Sequence, residues 1–401
     1  MKRKSYILLV GLAYLSFISL GLPDGLLGVA WPSISASFDL PIDALGALLV
    51  MFTAGYLLSS IVSGRLLARI SVGALLALSC LATSVSLLGY AATPYWSVLV
   101  SLGALSGLGA GAIDAGLNTY AATHFSARTV NWLHAFYGMG ATIGPVIITG
   151  MIMAGRPWRW SYVIIGVFQS MLAACFFLAR RWWTDKIDAG QRADAPAITA
   201  RTASSASTLR LPVVWLGLAV FFIYTGIEAA AGAWAFSLFT LARKVPESAA
   251  GIWSSVYWGC LTAGRLLSGI VVGVIPVRAM LRLSIISIAL GAVMMWLGGA
   301  GIVSFLGLAL IGLSSAPVFP SLIATTPARL GEAHAANGVG FQIGAAVLGQ
   351  SLLPAAVGML ARKMGLEIVG PALFVMAVAL LGFYEALMAS GPERAVEAKA
   401  S

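Results

Sequence analysis

The sequence predicts an all-α membrane protein: twelve transmembrane helices in two six-helix, pseudo-symmetric halves. Three observations predict it. The 401 residues are 60% hydrophobic and only 9% charged, against about 25% charged in soluble domains, so most of the surface faces lipid. Twelve stretches are apolar over roughly the 20 residues that cross a bilayer core of about 30 Å. The chain also repeats. Gly64-Arg-Leu-Leu67 recurs as Gly264-Arg-Leu-Leu267, and Ile70, Val72 and Gly73 recur as Ile270, Val272 and Gly273, all at an offset of 200 residues.

The expected spans run 6–36, 44–64, 72–92, 96–122, 132–154 and 161–179 in the first half. In the second they run 212–240, 249–271, 277–298, 302–325, 336–360 and 368–388. The first span follows Met1-Lys-Arg-Lys4, which looks like the start of a signal peptide. Its apolar run continues past Asp24 to Trp31 without a small-residue cleavage site, so it is read as a retained helix. Pro23 in Gly21-Leu-Pro-Asp-Gly25 removes a backbone donor, so a bend that exposes backbone is expected there. The second and eighth spans end on the two Gly-Arg-Leu-Leu elements. Gly107-Leu108 in the fourth span pairs with Gly312-Leu313 in the tenth.

Between the halves lies a stretch rich in Ala, Ser, Thr and charge. The domains are therefore residues 1–180, a cytoplasmic linker at 181–211, and 212–401. The linker reads as a soluble tether, in part an amphipathic helix on the membrane.

The net charge is +10. Nucleic acid is not the expected partner, because Lys and Arg flanking membrane spans hold cytoplasmic loops inside. With both termini in the cytoplasm, 18 of the 24 Lys and Arg fall on that side and 6 outside. The 45 glycines suit closely packed membrane helices. Cys80, Cys175 and Cys260 lie in apolar segments with no CxxC spacing, so they read as packing residues. No metal site is expected.

Three acids fall inside expected spans: Asp24, Asp114 and Glu228. An Asp at the centre of a membrane helix costs about 2.5–3.5 kcal/mol even on insertion scales, and such groups mark substrate and proton paths. Asp24 lies about 27 Å along the helix from Tyr6 at 1.5 Å per residue. Asp114 and Asn118 are four apart and share a helix face; an acid with an amide suits sugar hydroxyls and allows one group to titrate. Glu228 shares a face with Tyr224. Structural readings stand beside these: an outer-edge position for Asp24, an interhelical hydrogen bond for Asp114 and Asn118, an ion pair to another helix for Glu228.

His134 near the start of the fifth span is either a cap or a proton relay. Trp234 and Gln342 are candidates to line a sugar site, the ring by stacking and the amide by hydrogen bonds. Arg65 and Arg265 are expected to pin the cytoplasmic ends of spans two and eight, where Arg complements helix carbonyls. Asn131 and Asn337, near cytoplasmic ends in the two halves, are expected gate hydrogen bonds.

The duplicated Gly-Arg-Leu-Leu elements look like the signature loops of the major facilitator superfamily, though the first copy lacks the acid common there. Gly21-Leu-Pro-Asp24, Asp114-Ala-Gly-Leu-Asn118, Leu133-His-Ala-Phe-Tyr-Gly-Met-Gly-Ala141 with Gly144-Pro145, Tyr224-Thr-Gly-Ile-Glu228 and Gly312-Leu-Ser-Ser-Ala-Pro-Val-Phe-Pro320 resemble the fucose/glucose proton-symporter branch. The resemblance covers nearly the whole chain. It implies substrate bound between the halves, with Asp24 and Asp114 in proton coupling and sugar recognition.

No GxSxG, Walker loop, HExxH or kinase set occurs. An enzyme is not expected, nor a cofactor, and no ATP bound to this chain would power it. The expected function is proton-coupled symport of a neutral sugar by alternating access in a bacterial-type inner membrane, with lipid, protons and a small molecule as partners. A proton-antiport exporter of drugs or metabolites is the alternative; a transporter-like receptor or flippase is a third reading.

Overall fold

The computed structural model describes residues 3–67, 69–125, 127–183, 203–271 and 275–390. Every long element is a helix. The first six are α1 (Arg3–Ser37), α2 (Leu45–Leu67), α3 (Val72–Ala92), α4 (Trp96–His124), α5 (Ala127–Met153) and α6 (Arg159–Ala179). A short α7 (Ser205–Leu209) precedes α8 (Pro212–Ser237), α9 (Glu247–Val271), α10 (Val277–Leu297) and α11 (Ile302–Ser315). The last three are α12 (Val318–Leu330), α13 (Glu332–Met364) and α14 (Val369–Ala389). Most of the expected linker, residues 184–202, lies outside the described residues.

Eleven helical segments among the described residues are long and apolar enough to cross a membrane, α11 and α12 together forming one of them. The twelfth expected span is α9, whose Ser, Tyr, Gly and Arg side chains dilute its apolar ones.

Two helices depart from expectation. The first span runs helical from Arg3 to Ser37 straight through Pro23 and Pro32, so Pro23 does not interrupt it. The tenth is divided at Ala316 and Pro317. Pro317 and Pro320 have no N–H, so the carbonyls of Leu313 and Ala316 lose their helical donors, and two prolines within one turn end the helix.

Cα packing divides the chain into two compact units, residues 1–196 with 245–259, and residues 197–244 with 260–401. The first half of α9 therefore groups with the first unit. Within the first unit α1 packs along α5, α2 along α4, and α3 against both α4 and α6. The second unit repeats part of this scheme: α8 packs along α13, and α10 against α11 and α14.

Small residues let these backbones touch. A Cβ built on Gly25 of α1 would lie 1.9 Å from the Ala141 carbonyl of α5, and one on Gly140 would lie 2.1 Å from the Ile18 carbonyl. Gly107 meets Phe52 in the same way between α4 and α2. The obstacle is backbone in each case, so a methyl forces helices apart. Gly25→Ala is expected to cost about 1–3 kcal/mol and to lower the thermal midpoint of the detergent-solubilised protein. An unchanged midpoint would mean that α1 and α5 separate freely.

Candidate functional site

In the first unit, four helices bring polar side chains together. Tyr56 Oη on α2 donates to Asp114 Oδ2 on α4 at 2.6 Å. One turn on, Asn118 Nδ2 donates to Asp114 Oδ1 at 2.8 Å. Each oxygen of Asp114 thus has a donor, and the half-buried acid is fixed from two sides. On α1, the exposed Asp24 accepts from Tyr137 Oη of α5 through Oδ2 at 2.6 Å. Asp24 and Asp114 both act electrostatically on Tyr56, and His134 acts on Asp114, so the groups form one neighbourhood. The exposed His134 ring stands edge-on to Phe17 at 5.5 Å.

These distances have a plain cause. Gly21 and Gly25 draw α1 onto α5, which places Asp24 within reach of Tyr137. Gly55 and Gly107 draw α2 onto α4, which carries Tyr56 to Asp114. Both phenols were missed as site residues. Tyr137 lies within the quoted motif of the fifth span, and Tyr56 lies in the second span beside Thr53, Ser59 and Ser60; nothing in spacing alone joins either to an acid more than 50 residues away.

The second unit holds a separate cluster. Tyr224 Oη lies 2.5 Å from Glu228 Oε2 and 2.9 Å from the Ser315 carbonyl. The break between α11 and α12 is what turns that carbonyl from a helix partner into an acceptor for a side chain. Arg265 Nη2 of α9 stands 3.6 Å from Glu228 Oε1. This alters the role expected for Arg265. The arginine does not pin a helix end: α9 continues to Val271, and its charge faces the acid. Arg65, its repeat counterpart, sits exposed in the last turn of α2, the position that suits an arginine beside terminal carbonyls.

Two expected sugar ligands are committed to packing. Trp234 is fully buried and its indole N–H donates to the Pro354 carbonyl at 2.9 Å. Gln342 is buried, accepts from Thr326 Oγ1 at 2.9 Å and lies against Gly217. Neither faces open space here, because α8 and α13 lie too close together along their length. Cys80 is buried as expected of a packing residue, whereas Cys175 is exposed.

Asn337 fastens the segment preceding α8. Its Nδ2 donates to the Ala203 carbonyl at 2.7 Å and reaches Thr208 Oγ1 at 3.3 Å. His334 Nδ1 meets the same hydroxyl at 2.8 Å, and Ala203 N–H donates to the Ala333 carbonyl at 3.0 Å. The expected gate residue is thus an anchor for α7. Asn337→Ala with Thr208→Ala removes these three side-chain hydrogen bonds and is expected to hasten trypsin cleavage after Arg210 by roughly 100-fold, at about 1 kcal/mol per hydrogen bond; unaltered cleavage would mean the segment is held elsewhere. Asn131 belongs to α5, but its side chain lies outside the described residues.

The Major Facilitator Superfamily matches residues 13–354, and the chain belongs to that family of membrane transporters. It is a multi-pass membrane protein and not an enzyme. The human "Sodium-dependent glucose transporter 1" is 24% identical over 384 residues, covering 87% of this chain and 72% of that protein. Among solved structures, the nucleoside transporter NupG has a TM-score of 0.71 at 14% identity, over 96% of this chain and 98% of that one. The E. coli fucose:proton symporter FucP has a TM-score of 0.62 at 15% identity, over 96% and 99%.

Proposed function

We propose that this chain carries out proton-coupled symport of a neutral sugar by alternating access. The observation that carries the proposal is the Asp114 cluster. An acid whose two oxygens are held by a phenol and an amide can lose one donor to a sugar hydroxyl and gain a proton without rearranging its helix. Asp24 with Tyr137 supplies a second, more exposed acid beside it. Protonation of both acids lets sugar and proton cross as a complex of low charge. The named activities of the relatives, sodium-dependent glucose transport in one and fucose:proton symport in another, support sugar over drug or metabolite export.

Protons are favoured over sodium by the groups around Asp114. Tyr56 and Asn118 point donors at the carboxylate, whereas a hard cation needs several converging oxygen acceptors. The Lys and Arg distribution supports an orientation with both termini cytoplasmic, in what we take to be an inner, plasma membrane. The test is D-glucose uptake by proteoliposomes under an imposed proton or sodium gradient. Accumulation driven by the proton gradient is expected. Accumulation driven by sodium alone would overturn the coupling ion, and proton-driven efflux of a drug without glucose uptake would establish the antiport reading.

A further inference from the structure

We propose that the acid–phenol pair occurs twice in the first unit and that the two copies are arms which each read one hydroxyl of a polyhydroxylated ring, with Tyr56 and Tyr137 as the positioning residues. The proposal rests on the reading above in placing substrate at Asp24 and Asp114; the duplicated arms and the phenols go beyond it. The duplication is visible in the packing. On α1, Gly21 precedes Asp24 by three residues. A Cβ on Gly21 would strike the carbonyl of Tyr137, whose phenol donates to Asp24 at 2.6 Å. On α4, Gly111 precedes Asp114 by three residues. A Cβ on Gly111 would strike the carbonyl of Tyr56, whose phenol donates to Asp114 at 2.6 Å. The residue four beyond each tyrosine, Ala141 or Ser60, closes on the same glycine.

Both helix pairs are also parallel. Along α1, Gly21 meets Tyr137 and Gly25 meets Ala141; along α4, Gly103 meets Leu48, Gly107 meets Phe52 and Gly111 meets Tyr56. Contacts that advance together on both helices mean that the two run in one direction. A glycine one turn before an acid, set against the tyrosine of a parallel neighbour, gives the phenol the same reach to the carboxylate in both places. The close backbone approach that small residues permit builds the pair, and three-helix repeats nested within a six-helix half give one device two positions. The copies differ one turn on: Asn118 donates to Asp114, whereas the residue four after Asp24 is Gly28.

What each arm can do follows from its donors and acceptors. An ionised carboxylate has no proton to give and about four acceptor sites. A substrate hydroxyl can therefore donate to an oxygen beside the phenol or take the phenol's place. The phenol fixes the plane of the acid, and its own oxygen can accept from a neighbouring hydroxyl. Asp24 is exposed, and Asp114, Tyr56 and Tyr137 are half-buried, so both acids keep a side open. Both acids also act electrostatically on Tyr56, which keeps them within the span of one small molecule. Two acids on different helix pairs call for a ligand with donor hydroxyls at two separate places. A hexose and a ribonucleoside both meet that requirement; a drug without hydroxyls does not.

Calorimetric titration of the full chain in nanodiscs with D-glucose, uridine and the monodeoxy forms of each tests this. Wild type is expected to bind one parent compound and to lose about 10- to 100-fold in affinity for its deoxy forms at two or more positions, the range for a hydrogen bond to a charged group. Tyr56→Phe should cut the penalty at one of those positions to about threefold or less, and Tyr137→Phe should do so at another. A tyrosine that only pins helices would weaken all ligands alike and leave these ratios fixed. Unmoved ratios, both variants acting at one position, or a wild type that penalises fewer than two hydroxyls would overturn the proposal. Asn118→Ala strips the second donor from the Asp114 arm; it should move the same position as Tyr56→Phe and stands in for that variant if it fails to fold. Glucose binding with fixed ratios would sink this proposal and leave the sugar reading, whereas uridine binding with ratios that move would do the reverse. Binding of neither would overturn both.

Discussion

Asp114→Asn is expected to abolish accumulation of substrate against a gradient while exchange of substrate across the membrane persists. The amide keeps the size of the acid and one acceptor oxygen. Tyr56 can rotate its hydroxyl to accept from the new NH2, and Asn118 can keep donating to the oxygen, so the α2–α4 contact survives. What is lost is the capacity to take up and release a proton. A potential of 100 mV supplies about 2.3 kcal/mol for each charge moved, or roughly 50-fold accumulation, and the variant should fall to a ratio near one. Uphill uptake at the wild-type level would remove Asp114 from coupling. Loss of exchange as well would show that it binds substrate and nothing more.

Arg265→Ala is expected to give the largest loss of stability. Deleting one partner of a buried pair costs about 3–5 kcal/mol because it leaves a charge uncompensated. The 3.6 Å separation and the partial exposure of Arg265 put this case at or below about 3 kcal/mol. The double variant Arg265→Ala/Glu228→Gln should recover most of the thermal midpoint, since the amide carries no charge, but it should not recover transport. If the double variant is as unstable as the single one, Arg265 acts through packing and the ion pair is incidental.

The two Gly-Arg-Leu-Leu elements illustrate how far sequence identity reaches. They are identical in letters and equivalent in the repeat, yet Arg65 sits exposed in a final turn while Arg265 faces an acid. The difference lies outside the motif. Glu228 is on α8, and the carbonyl that positions its Tyr224 partner exists because Pro317 and Pro320 end α11. No counterpart of that pair stands at the positions that the Gly107–Gly312 pairing makes equivalent, Ala112 and Ala115 in the unbroken α4.

By itself the sequence determined the membrane class, the helical repeat, most span positions and the acids worth attention. Each rests on local rules: apolar length against bilayer thickness, the cost of a buried carboxylate, the i to i+4 geometry that joins Asp114 to Asn118 and Tyr224 to Glu228. Only the tertiary structure decided the partners. Tyr56 reaches Asp114 across 58 residues and Tyr137 reaches Asp24 across 113, because glycines allow particular helix pairs to close. The same close packing buried Trp234 and Gln342 and gave each a hydrogen-bond partner. Periodicity can say which residues share a face of one helix. Which face meets which neighbour is settled by backbone approach distances of a few ångströms, and those depend on the whole set of contacts at once.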